Sequence, residues 1–496
     1  MKWLLHSLAA SAALAGCAWL PSVGPDYEKP DFKLEESPMP DAGLATTNTA
    51  AGGEYKPAEG ADDVRRTLGT NDIAQWWTTF GDETLSTLVA EAVSNNVSFL
   101  MAQERLVASR WELLGSYAAY MPKLNMGASV ARTERGENTS SMWGTGRTLH
   151  RDVFTGGFDA TWEIDIFGGS RRATEAARAQ AEAAGWNVAD AWVSLTAEVG
   201  RQYVSLRTIQ QRIEVARTNL VLQTETYEIL KSRLDSGIGD ELAVSQSKYI
   251  VDQTRAAIPP LLAQEEQAMN ALAVLVGTMP GELHSMLGDC PRRDWLVEPC
   301  KIENTPLDLV RSRPDVRAAE RTLAAQVASV GVAKSLWYPK LYINGSLGLE
   351  SVKASKLFER GSLYGSLGPS FSWPIFQGGN LYANQKAAEA RMREACLAYE
   401  LAVEDALRDV RDSYAAYSRE YHRYEALKGA AKAAQDAVAI SNDLYKNGLK
   451  DFTAVIDAQR SLLSLQEALV VSRGQITIDA IALYKSLGGG LAAGEQ

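Results

Sequence analysis

The chain has 496 residues, a formal net charge of −11 and 46% hydrophobic residues. Its pI of about 5.2 argues against nucleic acid as a partner. Mean hydropathy is −0.18, and past the first residues no apolar run reaches the ~18 residues of a membrane helix, so helical membrane proteins are excluded. The length allows two or three domains.

Residues 1–16 read as an export signal: Lys2 is followed by an apolar stretch, Trp3 to Gly16, too short to span. Leu14-Ala15-Gly16-Cys17 resembles the bacterial lipobox, whose cysteine is acylated and becomes the first mature residue. The alternative is a plain secretory signal with a chance cysteine. Ala18 stands where an Asp would favour the inner membrane, so the outer membrane is the expected address. Each buried acyl CH₂ would add about 0.8 kcal/mol of anchoring. Residues 17–74 are rich in Pro, Gly, Ala and Thr and lack an apolar period, which predicts a linker.

A first repeat is expected over 75–277. Asp82 can cap a helix carrying Leu85, Leu88, Val89 and Ala92, running to about Tyr120 with a break at Asn95-Asn96. Strands follow at about 122–135 and 153–166. Arg171 to about Leu234 reads as one Ala-rich helix, about 95 Å long at 1.5 Å per residue. Ser236-Gly237-Ile238-Gly239 ends it, and a helix from about Asp240 to Val276 returns. Pro259-Pro260 is expected to kink or interrupt that return.

Residues 278–304 form a connector in which Cys290 and Cys300 can close a small disulfide loop in an oxidising compartment. A second repeat spans 305–490, with a short tail at 491–496. It predicts a helix at Thr305 to Leu336, strands at about 339–350 and 364–376, and a helix from Asn380 to about Lys446. Asn447-Gly448 caps that helix, and a return runs from Phe452 to Leu487. Cys396, in an Ala-rich run, is expected to be a buried apolar residue.

The strands carry the argument. Leu341, Ile343, Gly345, Leu347 and Leu349 alternate with Tyr342, Asn344, Ser346 and Gly348. Leu367, Phe371, Trp373 and Ile375 likewise oppose Ser366, Gly368, Ser370 and Ser372. Period two means strand, and two runs joined by a polar loop mean a hairpin. Tyr120 to Gly169 echoes it, with Pro339 − Pro122 = 217 and Gly379 − Gly169 = 210. Strands of about ten residues, apolar on one face and small and polar on the other, suit a barrel with lipid outside and water inside. Four strands cannot close such a barrel, and open edges do not survive in lipid, so several chains must share one.

Two helices of about 35 residues laid end to end match one of about 65, giving a helical layer about 100 Å tall beneath each hairpin. Helices this long with dense small residues pack as coiled-coil pairs. A lipid-anchored filamentous stalk is the structural alternative, but a stalk needs no membrane hairpins. No catalytic constellation, metal cluster or phosphate loop appears. His6, His150, His284 and His422 are scattered, and Gly144-Thr145-Gly146-Arg147 precedes no helix.

WWTTFGDETLSTLVAEAVSNN, RSRPDVRAAERTLAAQVASVGVAKSLWYPKL, FSWPIFQGGN, IDAQRSLLSLQEAL and ALYKSLGGG together resemble the TolC-like outer-membrane factors. The resemblance points to the NodT/OprM-type lipoprotein branch that serves resistance-nodulation-division (RND) pumps. It implies a homotrimer with a 12-stranded outer-membrane β-barrel continued by a periplasmic α-barrel. It implies a passive exit duct, without cofactor beyond the lipid on Cys17, working with a periplasmic adaptor and an inner-membrane RND pump. Heavy-metal efflux and type I secretion remain alternatives within transport. Asp457-Ala458-Gln459-Arg460 matches the family's constricting Asp ring, with Arg460 expected to tie neighbouring tips by a charge-assisted bond. A second family Asp is Ala454 here, leaving Asp451, Asp240 or Glu241 as substitutes. Gly237 and Gly448 mark the expected adaptor-docking tips.

Overall fold

The computed structural model describes residues 22–30, 75–135, 149–288, 307–447 and 449–489. A 3₁₀ turn at Trp76–Phe80 precedes helices α1 (Glu83–Asn95) and α2 (Val97–Tyr117), then strands β1 (Lys123–Arg135) and β2 (Leu149–Ile164). Helix α3 (Gly169–Asp235) is followed by α4 (Glu241–Val276) and short helices α5 (His284–Leu287) and α6 (Leu307–Ser312). Next come α7 (Pro314–Ser335), β3 (Lys340–Ser351), β4 (Leu363–Ser372), α8 (Asn380–Lys446) and α9 (Phe452–Ser486). Helices α3 and α8 each have 67 residues, about 100 Å at 1.5 Å per residue.

The sequence of elements departs from expectation at two places, each marked by proline. Helix α4 runs without interruption through Pro259 and Pro260. Both rings are exposed, so the carbonyls that lose their N–H partners face water rather than a dry core. The expected single helix from Thr305 instead breaks at Arg313, because Pro314 disfavours helical geometry at the residue before it and serves as the first residue of α7. Cys396 is half-buried rather than buried.

The chain forms two compact units. The strand-bearing unit comprises Met1–Asp31, Arg105–Gly185 and Ala318–Tyr399. Its sheet has the order β1-β2-β3-β4, antiparallel throughout. The two hairpins therefore join through β2 and β3, with Ile343 opposite Trp162 and Leu347 opposite Phe158. That register puts Leu124, Met126 and Val130 of β1 in line with the leucines of β3 and with Leu367 and Phe371 of β4. This apolar face is largely bare: Leu367 is 81% exposed, Met126 75% and Val130 69%. The other face carries polar rungs. Ser129 Oγ meets Thr155 Oγ1 at 2.7 Å, Ser346 Oγ meets Ser366 Oγ at 2.7 Å, and Asn344 Nδ2 donates to Ser370 Oγ at 2.6 Å.

Both hairpins close alike at their helix-side end. Trp162 Nε1 donates to the Tyr120 carbonyl, and Trp373 Nε1 to the Trp337 carbonyl, each at 3.0 Å. The offsets 373 − 162 = 211 and 337 − 120 = 217 show a repeat preserved at atomic detail. Phe167 stacks on Tyr338 at 4.8 Å beside them. Trp and Tyr are the side chains that gather at membrane–water boundaries.

Residues 22–30 are not the free linker expected from composition. Val23 N–H donates to the Phe167 carbonyl at 3.1 Å, and Gly24 lies so close to Gly331 that a side chain on it would meet backbone. Asp26 pairs with Arg172, while Lys29 and Arg321 both pair with Glu320, whose side chain is 3% exposed. Burial would push the Glu320 carboxyl up, but the bonds from Arg321 and Lys29 outweigh it and hold the pKa low. Tyr27 donates to Glu320 at 3.3 Å, and burial together with the Glu320 charge pushes its hydroxyl up to about 12.

The helical unit comprises Phe32–Glu104, Trp186–Arg317 and Glu400–Gln496. One core packs Leu85, Leu88, Val89 and Ala92 of α1 on Val199, Tyr203 and Leu206 of α3 and on Leu272, Ala273 and Val276 of α4. Three polar side chains are linked in series at this core. Asp82 caps α1 through Thr84 N at 2.8 Å and accepts from Tyr203 Oη at 2.7 Å. Arg207 lies over the Tyr203 ring at 5.0 Å and donates to Gln210 and the Leu287 carbonyl. Arg313 explains the RPD motif. It is buried and donates to Asp315, Asp409 and the Ser486 carbonyl, so it joins α7, α8 and α9.

Trp76 is 1% exposed and packs against Trp77, Phe80 and Tyr484. A Cβ on Gly200 would run into its indole and Ile481. The ring is rigid and hemmed in, so it has no cheap way to yield. Gly200→Ala is expected to cost about 1–3 kcal/mol by overpacking. A chemical-unfolding midpoint that does not fall would show that the Trp76 pocket is plastic.

Candidate functional site

Two features are built to do something beyond folding: the bare sheet face and the ends of the helical hairpins. Among the described residues, the sheet's two outer strands, β1 and β4, each leave one ladder of backbone groups without a partner strand.

The hairpin ends arise where α3 turns into α4 and α8 turns into α9. Gly237 has φ of +76°, which lets the chain reverse. Gly237 N–H donates to the Leu234 carbonyl at 2.8 Å and Ile238 N–H to the Arg233 carbonyl at 3.1 Å, closing α3. Gly448 lies outside the described residues, as do Cys17, Cys290 and Cys300.

The four helix ends converge. Leu230 of α3, Ala243 and Ile250 of α4, and Phe452, Val455 and Ile456 of α9 form one buried cluster, flanked by Tyr445 of α8. Tyr445 and Phe452 rings lie 5.1 Å apart. This cluster fixes the positions of the charged residues above it. Asp457 is exposed on α9, its carbonyl accepting from Ser461 Oγ at 2.8 Å. Asp451 occupies the N-cap of α9 with extended backbone but makes no side-chain cap bond. Its counterpart Asp240 (451 − 240 = 211) caps α4 through Leu242 N at 3.0 Å. Glu241 is exposed in the first turn of α4, where a negative charge suits the helix dipole.

Arg460 has an aromatic neighbour within its own chain. Its guanidinium lies over the Tyr249 ring at 5.2 Å, bridging α9 to α4 within one chain. The expected charge-assisted bond was one between neighbouring tips; the Tyr249 contact within the chain was missed because nothing local in α4 marks it. Its register did mark it: 460 − 249 = 211, the offset between the two hairpin glycines Gly237 and Gly448. The structure thus brings Arg460 against the first repeat while leaving the Asp457 and Asp451 side chains exposed. Among the described residues no group of three or more His, Cys, Asp or Glu is placed to hold a metal ion.

The family model for outer membrane efflux proteins matches residues 88–278 and 307–489. Nodulation protein T of Rhizobium leguminosarum bv. viciae is 29% identical over 498 residues, covering 99% of this chain and 95% of that protein. Outer membrane protein OprJ of Pseudomonas aeruginosa is 30% identical over 434 residues, 86% of this chain and 88% of that one. The structure of the outer-membrane channel OprN superposes with a TM-score of 0.81 at 31% identity, covering 94% of this chain and 99% of that chain. The mainly helical fold with a small membrane sheet, expected from periodicity, is the fold of these channels. The chain belongs to the outer membrane efflux protein family, and its place is the outer membrane.

Proposed function

We propose that the chain is the exit duct of a tripartite RND-type efflux system. It passively conducts small molecules delivered by an inner-membrane pump and a periplasmic adaptor. The observation that carries this reading is the sheet: one bare apolar face, one polar face, and two open edges. Lipid tolerates such a sheet only when its edges are closed, which four strands cannot do alone. Three copies give twelve strands. A second support is the stripe Val107, Trp111, Leu114 and Tyr117 on α2, exposed at helical spacing and suited to a neighbouring copy.

In this reading Cys17 carries the lipid, and Gly237 and Gly448 mark the ends that meet the adaptor. The resting duct is closed at the helical tips by Asp457, with Asp451 and Glu241 as further acids near the axis. Three carboxylates facing one axis would repel anions and favour cations. The Arg460–Tyr249 stack holds the tip of α9 against α4 and thereby keeps the closed form.

Planar-bilayer recording tests the duct and its gate together. The native protein is expected to conduct little and to prefer cations, and Asp457→Ala to conduct much more. Equal conductance would leave the duct standing and move the gate to Asp451 or Glu241. Absence of conductance despite verified insertion would favour the structural stalk. Arg460→Ala and Tyr249→Leu should each raise open probability about two- to fivefold, the size of an exposed cation–π contact. Their double variant should add nothing further, and additive effects would remove the stack from the gate. Cys17→Ser should abolish incorporation of radiolabelled palmitate, and retained label would rule out Cys17 as the lipid site.

A further inference from the structure

The connection between β3 and β4 has a chemistry that conduction does not require. It lies at the sheet end opposite the helices, because β3 begins at Lys340 just after α7 and β4 ends at Ser372 just before α8. Strands of 12 and 10 residues carry the chain about 33–40 Å from that end, enough to clear a hydrocarbon layer when tilted. In an outer-membrane protein the connection therefore lies at the outer leaflet.

It is an ordered platform. Two 3₁₀ turns, Ala354–Lys356 and Arg360–Ser362, are tied by backbone bonds from Lys356 N to Lys353 O and from Ser362 N to Glu359 O. Ser362 Oγ donates to the Lys356 carbonyl at 2.7 Å and is buried beneath the turn. Three cations stand on this platform: Lys353, Lys356 and Arg360, all exposed. None of them pairs with an acid among the described residues, whereas Lys340 at the helix-side rim pairs with Glu163 at 2.9 Å. Glu359 is the one acid of the segment, so Val352–Ser362 carries 3 − 1 = +2. Glu350, the nearest acid of β3, shares the polar face with Gly348 and Ser346 and so points into the barrel.

Apolar groups accompany the cations. Phe358 is 85% exposed, and Leu363 and Val352 flank the segment at 61% and 50%. Leu363 is the last residue of the bare lipid-facing row that continues through Leu367 and Phe371. A ring presented to solvent on a rigid turn, beside cations and continuous with a lipid-facing surface, fits a lipid headgroup at the water boundary.

We propose that Lys353, Lys356 and Arg360 dock the phosphate groups of an anionic glycolipid of the outer leaflet, with Phe358 seated against its acyl chains. The occupant is a phosphorylated lipid headgroup rather than soluble phosphate, because the exposed Phe358 ring stands beside the cations and close to the apolar row that ends at Leu363, and a soluble phosphate would leave that ring in water. The inference goes beyond the duct reading and rests on its barrel and on the outer-membrane location.

The test uses the full-length protein in detergent, titrated with fluorescent bis-phosphorylated lipid A. Each cation near an anionic surface contributes roughly a fivefold factor, so Lys353→Gln/Lys356→Gln/Arg360→Gln should weaken binding on the order of a hundredfold. Dephosphorylated lipid A should bind the native protein as weakly as lipid A binds the variant. Bilayer conductance of the variant should match the native protein, which separates lost docking from lost folding. Native-like affinity in the variant, or equal affinity for dephosphorylated lipid, overturns the proposal. So does full displacement of lipid A by inorganic pyrophosphate, which would mark a soluble-phosphate site instead.

Discussion

The backbone edges of β1 and β4 are the constraint on which everything else rests. A strand edge in hydrocarbon leaves N–H and C=O groups with neither water nor protein to satisfy them, at several kcal/mol each. The chain therefore cannot be a complete membrane structure by itself. Its sheet is a segment that acquires a closed ladder only through further copies. The alternation along the strands follows from the same constraint. Once the wall is closed, one face meets lipid and takes Leu124, Met126, Leu347 and Leu367. The other meets water and takes the serine and threonine rungs.

The closed wall needs a firm foundation at the helix-side rim. The chain supplies it with paired polar groups rather than with a larger core. Trp162 and Trp373 each tie a strand end to the carbonyl of the turn preceding the hairpin. Residues 22–30 lie across the start of α3 and along α7, where Glu320 gathers Tyr27, Lys29 and Arg321. Removing one partner from such a buried cluster leaves a desolvated charge, which costs more than the pair contributes. In the helical unit Arg313 has a comparable position, with Asp315, Asp409 and the Ser486 carbonyl around it. Long Ala-rich helices bury little area per residue, so specific polar crosslinks fix which helix lies beside which.

Legibility in the sequence followed the range of each interaction. The strands were legible because period two is local, and α8 was legible to the residue because Gly378-Gly379 and Asn447 bracket an unbroken run. Pro259-Pro260 did not interrupt α4, because proline reports lost hydrogen bonds but not whether the freed carbonyls face water. Pro314 was passed over inside a strong apolar period, although its effect on the preceding residue is a local rule. The docking of residues 22–30 was not legible, since its partners lie about 140 to 300 positions away and composition there resembles a linker. At the tips, the exposed acids were readable one by one. The cluster beneath them and the Tyr249 partner of Arg460 required the repeat offset to be applied across helices.

That offset also exposes where the two repeats have parted. Asp240 and Asp451 are equivalent N-caps, yet Asp240 spends its carboxylate on Leu242 N while Asp451 makes no cap bond. Asp457 aligns with Gln246 (457 − 246 = 211), so only the second repeat presents an acid at that level. Arg460 aligns with Tyr249, and the two meet. A duplication that kept the same residues at both positions would set Arg against Arg or Tyr against Tyr. Like charges that close repel, and two tyrosines offer no cation for the ring face. Divergence at this one pair converts an internal symmetry into a contact. It also leaves the carboxylate of Asp457 one turn away on a helix whose position is fixed, which is what a charge needs if it is to act at a distance.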